Sequence, residues 1–335
     1  MNGTITDVAG LEAGHHTDRD NATGCTVIMC RRGAVGGVDV RGGSPGTRET
    51  DLLRPVHRVD QLHAVVLSGG SAFGLDAASG VVSYLEREGI GFQIGPAVVP
   101  PVVVPPVVVP IVSSAILFDL GLITAQVRPG AEEGRLACLA ANASPLEEGS
   151  VGAGTGATVA KGGGRAGAVK SGLGCASLRL ASGVMVAAVV AVNAYGGIWD
   201  HRSGKLIAGP RREDGQGFDD PVELSLLGSS GDAAPPLTNT TIGLVATDAA
   251  LTKEDVNYLA GVSHDGLALT IRPCHTDRDG DTMFAMATRR VQGTVDLTAL
   301  GTAAVEVTAA AVLRAVNAAT GLGGVPAIGE LDWVS

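Results

Sequence analysis

At 335 residues the chain is long enough for one large domain or two ordinary ones; 45% of its residues are hydrophobic but only 3% aromatic, so its core must be Val, Ala, Leu and Ile. A net charge of −10 argues against a nucleic-acid partner, because phosphate binding needs a basic field. The 49 glycines follow no period, which excludes collagen and points to tight turns between short elements.

Residues 4–12 and 25–30 read as short strands joined by the polar "HHTDRDNATG", and 34–53 as glycine-rich backbone followed by a loop. A buried strand, His63 to Leu67, meets a Gly69-Gly70 turn. A helix is predicted from near Ser71, with Leu75, Ala78, Val81, Val82 and Leu85 on one face. From Pro96 to Phe118 the chain carries no charge and is long enough to span a bilayer. Pro100, Pro101, Pro105, Pro106 and Pro110 interrupt it, each at a cost of roughly 3 kcal/mol inside a helix, so a buried or extended loop is expected instead.

Beyond it, "EEGRLACLAANAS" reads as helix and "GSVGAGTGATVAKGGGRAG" as glycine-punctuated loop with a short strand. Residues 183–197 predict a long buried strand ending at Asn193, and 209–238 a polar surface loop. "TTIGLVATDA" follows as a strand, then a helix from about Thr252, where Asp255 makes a capping pair, and a last helix over 301–320. Strands apolar on both faces imply sheets covered by helices, a layered α/β protein; periodicity alone leaves α+β equally open. Cys25, Cys30, Cys138, Cys175 and Cys274 form no CxxC pair or disulfide framework, and "MNGTITDVAGLEAG" lacks the basic start and apolar core of a signal peptide. Both features point to the cytoplasm.

Several stretches carry candidate chemistry. "SGGSAFG" (68–74) sits where a phosphate-binding turn would, but it matches neither GxGxxG nor a Walker motif nor a nucleophile elbow. It reads as a tight turn or a site-lining loop. Lys161, wedged between an apolar run and three glycines, is oddly placed for a solvated charge. "HTDRDNATGC" (16–25) is echoed by "HTDRDGDT" (275–282), but the EF-hand template fails at its glycine and its closing glutamate, so no metal is expected. Asp279 and Asp281 put two carboxylates on one turn, as an acid/base pair or as an Asx-turn cluster. The histidines, His275 among them, show no triad pattern. Thr240 and Thr241 follow Asn239 at a strand start. Were the bond before Thr240 cut, its own amine, with a pKa of roughly 7.7–8.0, would become the base its hydroxyl needs. A plain loop-to-strand junction is the other reading.

Taken together, "VRGGSPGTRETDLL", "LSGGSAFGLDAASGV", "VPIVSSAILFDLG", "VGAGTGATVAKG", "VVAVNAYGGIWD", "NTTIGLVATDA" and "HTDRDGDTMFA" fall in an order that resembles the self-processing aminopeptidases. That family holds the L-aminopeptidase/D-esterase-amidase, the β-peptidyl aminopeptidases and the nylon-oligomer endohydrolases. The resemblance covers nearly the whole chain, and the Asn-Thr junction looks most like the nylon-oligomer branch. It implies an αββα sandwich, akin to N-terminal-nucleophile hydrolases with different strand connectivity. It implies one domain, 1–335, that cuts itself between Asn239 and Thr240 into subunits 1–239 and 240–335, which stay together and assemble as oligomers.

By the same resemblance Thr240 is the nucleophile, Lys161 favours its deprotonated form, Asn193 stabilises the oxyanion, and Asp279 and Asp281 orient the nucleophile and its amine. Ser68, Gly69, Gly70 and Ser71 would line the substrate pocket, with Phe118 standing where several relatives carry a tyrosine. The implied activity is cofactor-free hydrolysis of short peptides or linear amides, with no membrane partner. The rivals are an acyl transferase like ornithine acetyltransferase, whose usual cleavage context is absent here, and a non-cleaving binding protein on the same fold.

Overall fold

The computed structural model describes residues 1–95, 97–99, 102–104, 106–227 and 239–333, with backbone alone at 97–99 and 102–104. Nine strands build the main sheet: β1 (Glu12–Asp18), β2 (Thr23–Val40), β3 (Thr47–Arg48), β4 (Gln61–Ser68), β5 (Val112–Ile116), β6 (Leu173–Arg179), β7 (Met185–Asn193), β8 (Thr240–Ala249) and β9 (Thr282–Val291). They run in the order β6-β7-β8-β9-β2-β4-β5-β3, with β1 paired to β2. The β8–β9 and β4–β5 pairs are parallel; the neighbouring β7–β8 and β9–β2 pairs are antiparallel. Helices α1 (Ala77–Arg87), α2 (Ala131–Ala140), α3 (Pro221–Leu227), α4 (Lys253–Thr270) and α5 (Leu297–Asn317) complete the set.

Side-chain alternation sorts the core into layers, because successive residues of a strand face opposite sides. On β7, Val186, Ala188, Val190 and Val192 join an apolar layer with Leu259 of α4 and Val312 of α5. Met185, Ala187, Val189 and Ala191 face the other way, into a layer shared with Ile28 of β2 and Val65 of β4. On the far side of β2 and β4, Val27 and Val66 pack against Val81 of α1 and Ala137 of α2. The sheet therefore folds over on itself, and the order is helices, half-sheet, half-sheet, helices. The protein is a mixed, layered αββα sandwich. Strand β2 joins the halves: it pairs with β4 along Cys25–Met29 and, after an irregularity, at Ala34 and Val35, and with β9 along Val35–Val40.

Several expected elements are redrawn. Residues 5–7 form a single turn, and the strand starts at Glu12 and takes in the polar His15–Asp18, because β1 pairs on one side only and leaves most of its side chains half-exposed. The strand read at 25–30 is longer than expected: β2 runs on through the glycine-rich backbone at 36 and 37 to Val40. A Cβ on Gly37 would stand 2.7 Å from the backbone of Val256, so glycine here lets α4 close down on the sheet rather than turning the chain. Within 209–238, Pro221–Leu227 is helical, its first turn capped by Asp220, which accepts from the Val222 amide at 2.7 Å. Residues 228–238 lie outside the described structure. The Pro-Val stretch forms extended antiparallel pairs, Phe92–Ile94 with Val107–Val109 and Ala97–Val99 with Val102–Val104; Phe92, Ile94 and Val107 are exposed rather than buried. Helix α4 begins as expected, with Thr252 accepting from the Asp255 amide in a capping box. Helix α5 is long and apolar enough to cross a bilayer, yet it packs within the first apolar layer.

Candidate active site

The antiparallel register of β7 and β8 sets Asn193 directly opposite Thr240. Both continue the alternation that points Ala191 and Ile242 between the two half-sheets, so their side chains share one face at the mouth of the sandwich. Parallel pairing then brings the turn before β9 alongside: Asn239 bridges to Asp279, and the Gly280 amide donates to the Asn239 carbonyl at 3.1 Å. The Thr240 hydroxyl donates to that same carbonyl oxygen. The bond between Asn239 and Thr240 is thus held by a backbone donor on one side and the threonine hydroxyl on the other.

Lys161 arrives from a glycine-flanked turn. Ala160 is held in the left-handed region at φ 61°, a conformation that strains a residue with a Cβ, and the Ala160 and Lys161 amides are pinned to the Gly196 and Tyr195 carbonyls. The ammonium donates to Asn193 Oδ1 at 2.8 Å and to the Asn193 carbonyl at 3.2 Å. Asn193 Oδ1 also accepts from the Thr158 amide, and its Nδ2 donates to the Phe118 carbonyl at 3.0 Å. This fixes the amide plane of Asn193. Burial pushes the Lys161 ammonium down to about 7, against the opposing pull of Asp279.

The two carboxylates divide their work. Asp279 accepts from the Tyr195 amide at 3.2 Å and from the amide and hydroxyl of Thr276. Burial, with Asp281 beside it, raises its carboxyl to about 6. Asp281 accepts from the Thr241 amide at 2.7 Å through Oδ1, while its Oδ2 lies 2.7 Å from His275 Nδ1. His275, which shows no triad pattern in the sequence, therefore has a carboxylate partner. The structure brings Lys161, Asn193, Asn239, Thr240, Asp279 and Asp281 into one network.

A cavity of about 250 Å³ opens beside it, lined among others by Phe118, Asp119, Thr158, Lys161 and Arg165. Phe118 reaches it as expected. Ser68, Gly69, Gly70 and Ser71 are not among its lining residues; Gly69 and Gly70 pack against Asp119. Asp119, which sequence reasoning passed over, accepts from the Gly70 amide and from the Thr23 hydroxyl, both at 2.7 Å. A Cβ on Gly69 would stand 2.0 Å from its carboxylate, so the double glycine makes room for a buried acid. Burial raises the Asp119 carboxyl to about 6. The signal was present, an aspartate ending an apolar strand in "AILFDL", but it stood beside the more conspicuous Phe118. The Gly280 amide, a backbone group, had no signal at all.

The model of peptidase family S58 matches residues 3–327. The chain belongs to that family. Hydrolysis of peptide or amide bonds is accordingly its class of chemistry. An uncharacterized aminopeptidase of Mycobacterium leprae is 41% identical over 357 residues, covering 96% of this chain and 92% of the relative. A 6-aminohexanoate-oligomer endohydrolase of Kocuria sp. is 31% identical over 323 residues, covering 92% and 84%. The solved L-aminopeptidase D-Ala-esterase/amidase of Ochrobactrum anthropi, described as a variant among the Ntn hydrolase fold, aligns with a TM-score of 0.66 at 18% identity over 97% of this chain and 88% of its own. That last likeness concerns the fold, and it agrees with the layers described above.

Proposed function

We propose that this peptidase cuts itself between Asn239 and Thr240 and then hydrolyses short peptides or linear amide oligomers through an acyl-enzyme on Thr240. One observation carries the reading: the Thr240 hydroxyl rests on the Asn239 carbonyl, which a backbone amide already polarises. In maturation Thr240 Oγ1 bonds to the Asn239 carbonyl carbon, its proton passes by way of a neighbouring base to the peptide nitrogen, and that nitrogen leaves as the amine of Thr240. Water then hydrolyses the resulting ester, freeing the Asn239 carboxylate and the Thr240 hydroxyl. Turnover repeats the sequence on a substrate amide, with the freed amine of Thr240 as base.

Within this reading the Gly280 amide is an oxyanion donor for maturation, and the Asn193 amide serves in turnover; loss of such a donor typically costs roughly 10²–10³ in rate. Lys161 as a cation lowers the cost of forming the alkoxide. Asp279 in its ionised form draws the proton away, and Asp281 fixes the strand through the Thr241 amide. The subunits are 1–239 and 240–335, they stay together and assemble with further copies, and the setting is the cytoplasm.

Intact-mass spectra of the purified protein beside Thr240→Ala test the reading. Two fragments, ending at Asn239 and starting at Thr240 and absent from the variant, are expected. A single uncut mass in both would turn the reading toward a binding protein on the same fold.

A further inference from the structure

Beside the Thr240 strand lies a cluster of which the proposed chemistry uses only Asp281. Cys274 Sγ, His275 Nδ1 and Asp281 Oδ2 all lie within 4.8 Å of one another. The separations are 3.5 Å from sulfur to nitrogen, 3.8 Å from sulfur to oxygen and 2.7 Å from nitrogen to oxygen. Zinc bonds of about 2.3 Å to sulfur and about 2.0–2.1 Å to nitrogen or oxygen, spread tetrahedrally, place sulfur about 3.5 Å from either lighter donor. Two edges of the triangle already stand near that size. The third opens by roughly half an ångström when the hydrogen bond between His275 and Asp281 gives way to two metal bonds.

Two further features mark the surroundings of the cluster. His275 is held in the left-handed region at φ 55°, which histidine adopts more readily than most residues. Its ring stands edge-on to that of His264, centroids 4.8 Å apart. His275 Nε2 and His264 Nδ1 are both buried without a hydrogen-bond partner among the described residues, although buried polar nitrogens are almost always satisfied. A sulfur, imidazole and carboxylate donor set suits a borderline-soft divalent ion, rather than magnesium or calcium, which take oxygen.

We propose that Cys274, His275 and Asp281 form a site for a zinc-class divalent cation, and that its occupation restrains self-cleavage. The Cys274 thiol proton goes to solvent as the sulfur–metal bond forms, one proton for each ion bound. Neutral His275 gives its Nδ1 lone pair, and Asp281 keeps Oδ1 on the Thr241 amide while Oδ2 turns to the metal. The ion then neutralises negative charge one residue from Thr240, where the carboxylates are needed to draw off a proton. This consequence rests on the hydrolytic reading; the binding does not.

The test uses the full chain after chelator treatment, titrated with Zn²⁺ by calorimetry and with Co²⁺ by absorption. One ion per chain is expected, with a thiolate-to-cobalt charge-transfer band. In Cys274→Ser, a one-atom change whose folding is checked by circular dichroism, the band should vanish and affinity should fall by about a hundredfold or more. Absence of one-to-one binding in the wild type, or affinity unchanged in both Cys274→Ser and His275→Gln, overturns the site. Zn²⁺ should slow self-cleavage of the wild type and not of Cys274→Ser; equal rates with the site occupied overturn the restraint. A wild type that never cleaves would defeat the self-cleavage reading and with it the restraint, while the cobalt spectrum would still decide the site.

Discussion

Two lysines in this molecule are buried and titrate alike, yet they sit in different chemistry. Burial pushes both Lys161 and Lys170 down to about 7, and each feels a buried aspartate that is itself raised to about 6, Asp279 for the first and Asp119 for the second. Lys161 lines a cavity and donates to Asn193, the cross-strand partner of Thr240. Lys170 is wholly enclosed and gives its ammonium to the carbonyls of Gly154 and Ser171. A perturbed pKa alone would nominate both as functional. Access and geometry separate them: one ammonium lines a cavity beside Asn193, and the other stitches loop backbone together.

The comparison breaks most decisively on rate. Lys161→Ala should slow self-cleavage and turnover by about 10²–10³, the range of a lost electrostatic donor, whereas Lys170→Met should leave the self-cleavage rate within about threefold. Densitometry of the uncut chain over time measures both. Equal slowing by the two variants would mean that enclosure, not position, is what matters.

A smaller effect lies in pH. In the proposed maturation step Asp279 must be ionised, which requires pH above about 6, and Lys161 must be protonated, which requires pH below about 7. The self-cleavage rate should therefore rise and then fall, with its maximum between those values. Lys161→Arg, always charged, should keep the acid limb and flatten the alkaline one. A profile that climbs steadily past pH 7 would show that neutral Lys161 is the working form.

The smallest effect concerns stability. Lys170→Met removes a buried charge but leaves two carbonyls without their donor, so the chain should lose about 1–3 kcal/mol in denaturant unfolding. No loss would mean that water or a backbone shift replaces the ammonium.

How far the sequence disclosed all this depends on which physical signal each part leaves. The strand ending at Asn193 and the capped start of α4 were legible because an apolar run and a capping pair are local signals. The layered αββα order was legible only through the family resemblance, since apolar runs do not reveal which half-sheet faces which. Strand β2 was cut short at residue 30 because Gly36 and Gly37 serve close packing, Gly36 against Leu53 and Leu62 and Gly37 against α4, more than two hundred positions away. Lys161, Asn193 and the Asp279–Asp281 pair stood out as polar groups in apolar or glycine-rich surroundings. Asp119 and the Cys274–His275–Asp281 cluster did not, because their partners meet only after the turn before β9 folds back and the double glycine at 69–70 closes over the acid.

Strand β8 lies in the interior of the sheet, laddered to β7 on one side and to β9 on the other, and β9 is in turn laddered to β2. A cut before Thr240 would therefore not release a tail. It would convert one chain into two that are woven through each other, with the later piece supplying β8, β9, α4 and α5 to a frame built by the earlier one. Such a break is mechanically one-way: the pieces part only when the sheet itself is unravelled, and strands that have lost their covalent register face a bimolecular search to find it again. Refolding from denaturant should succeed for the uncut chain and fail, or become dependent on protein concentration, for the cut one.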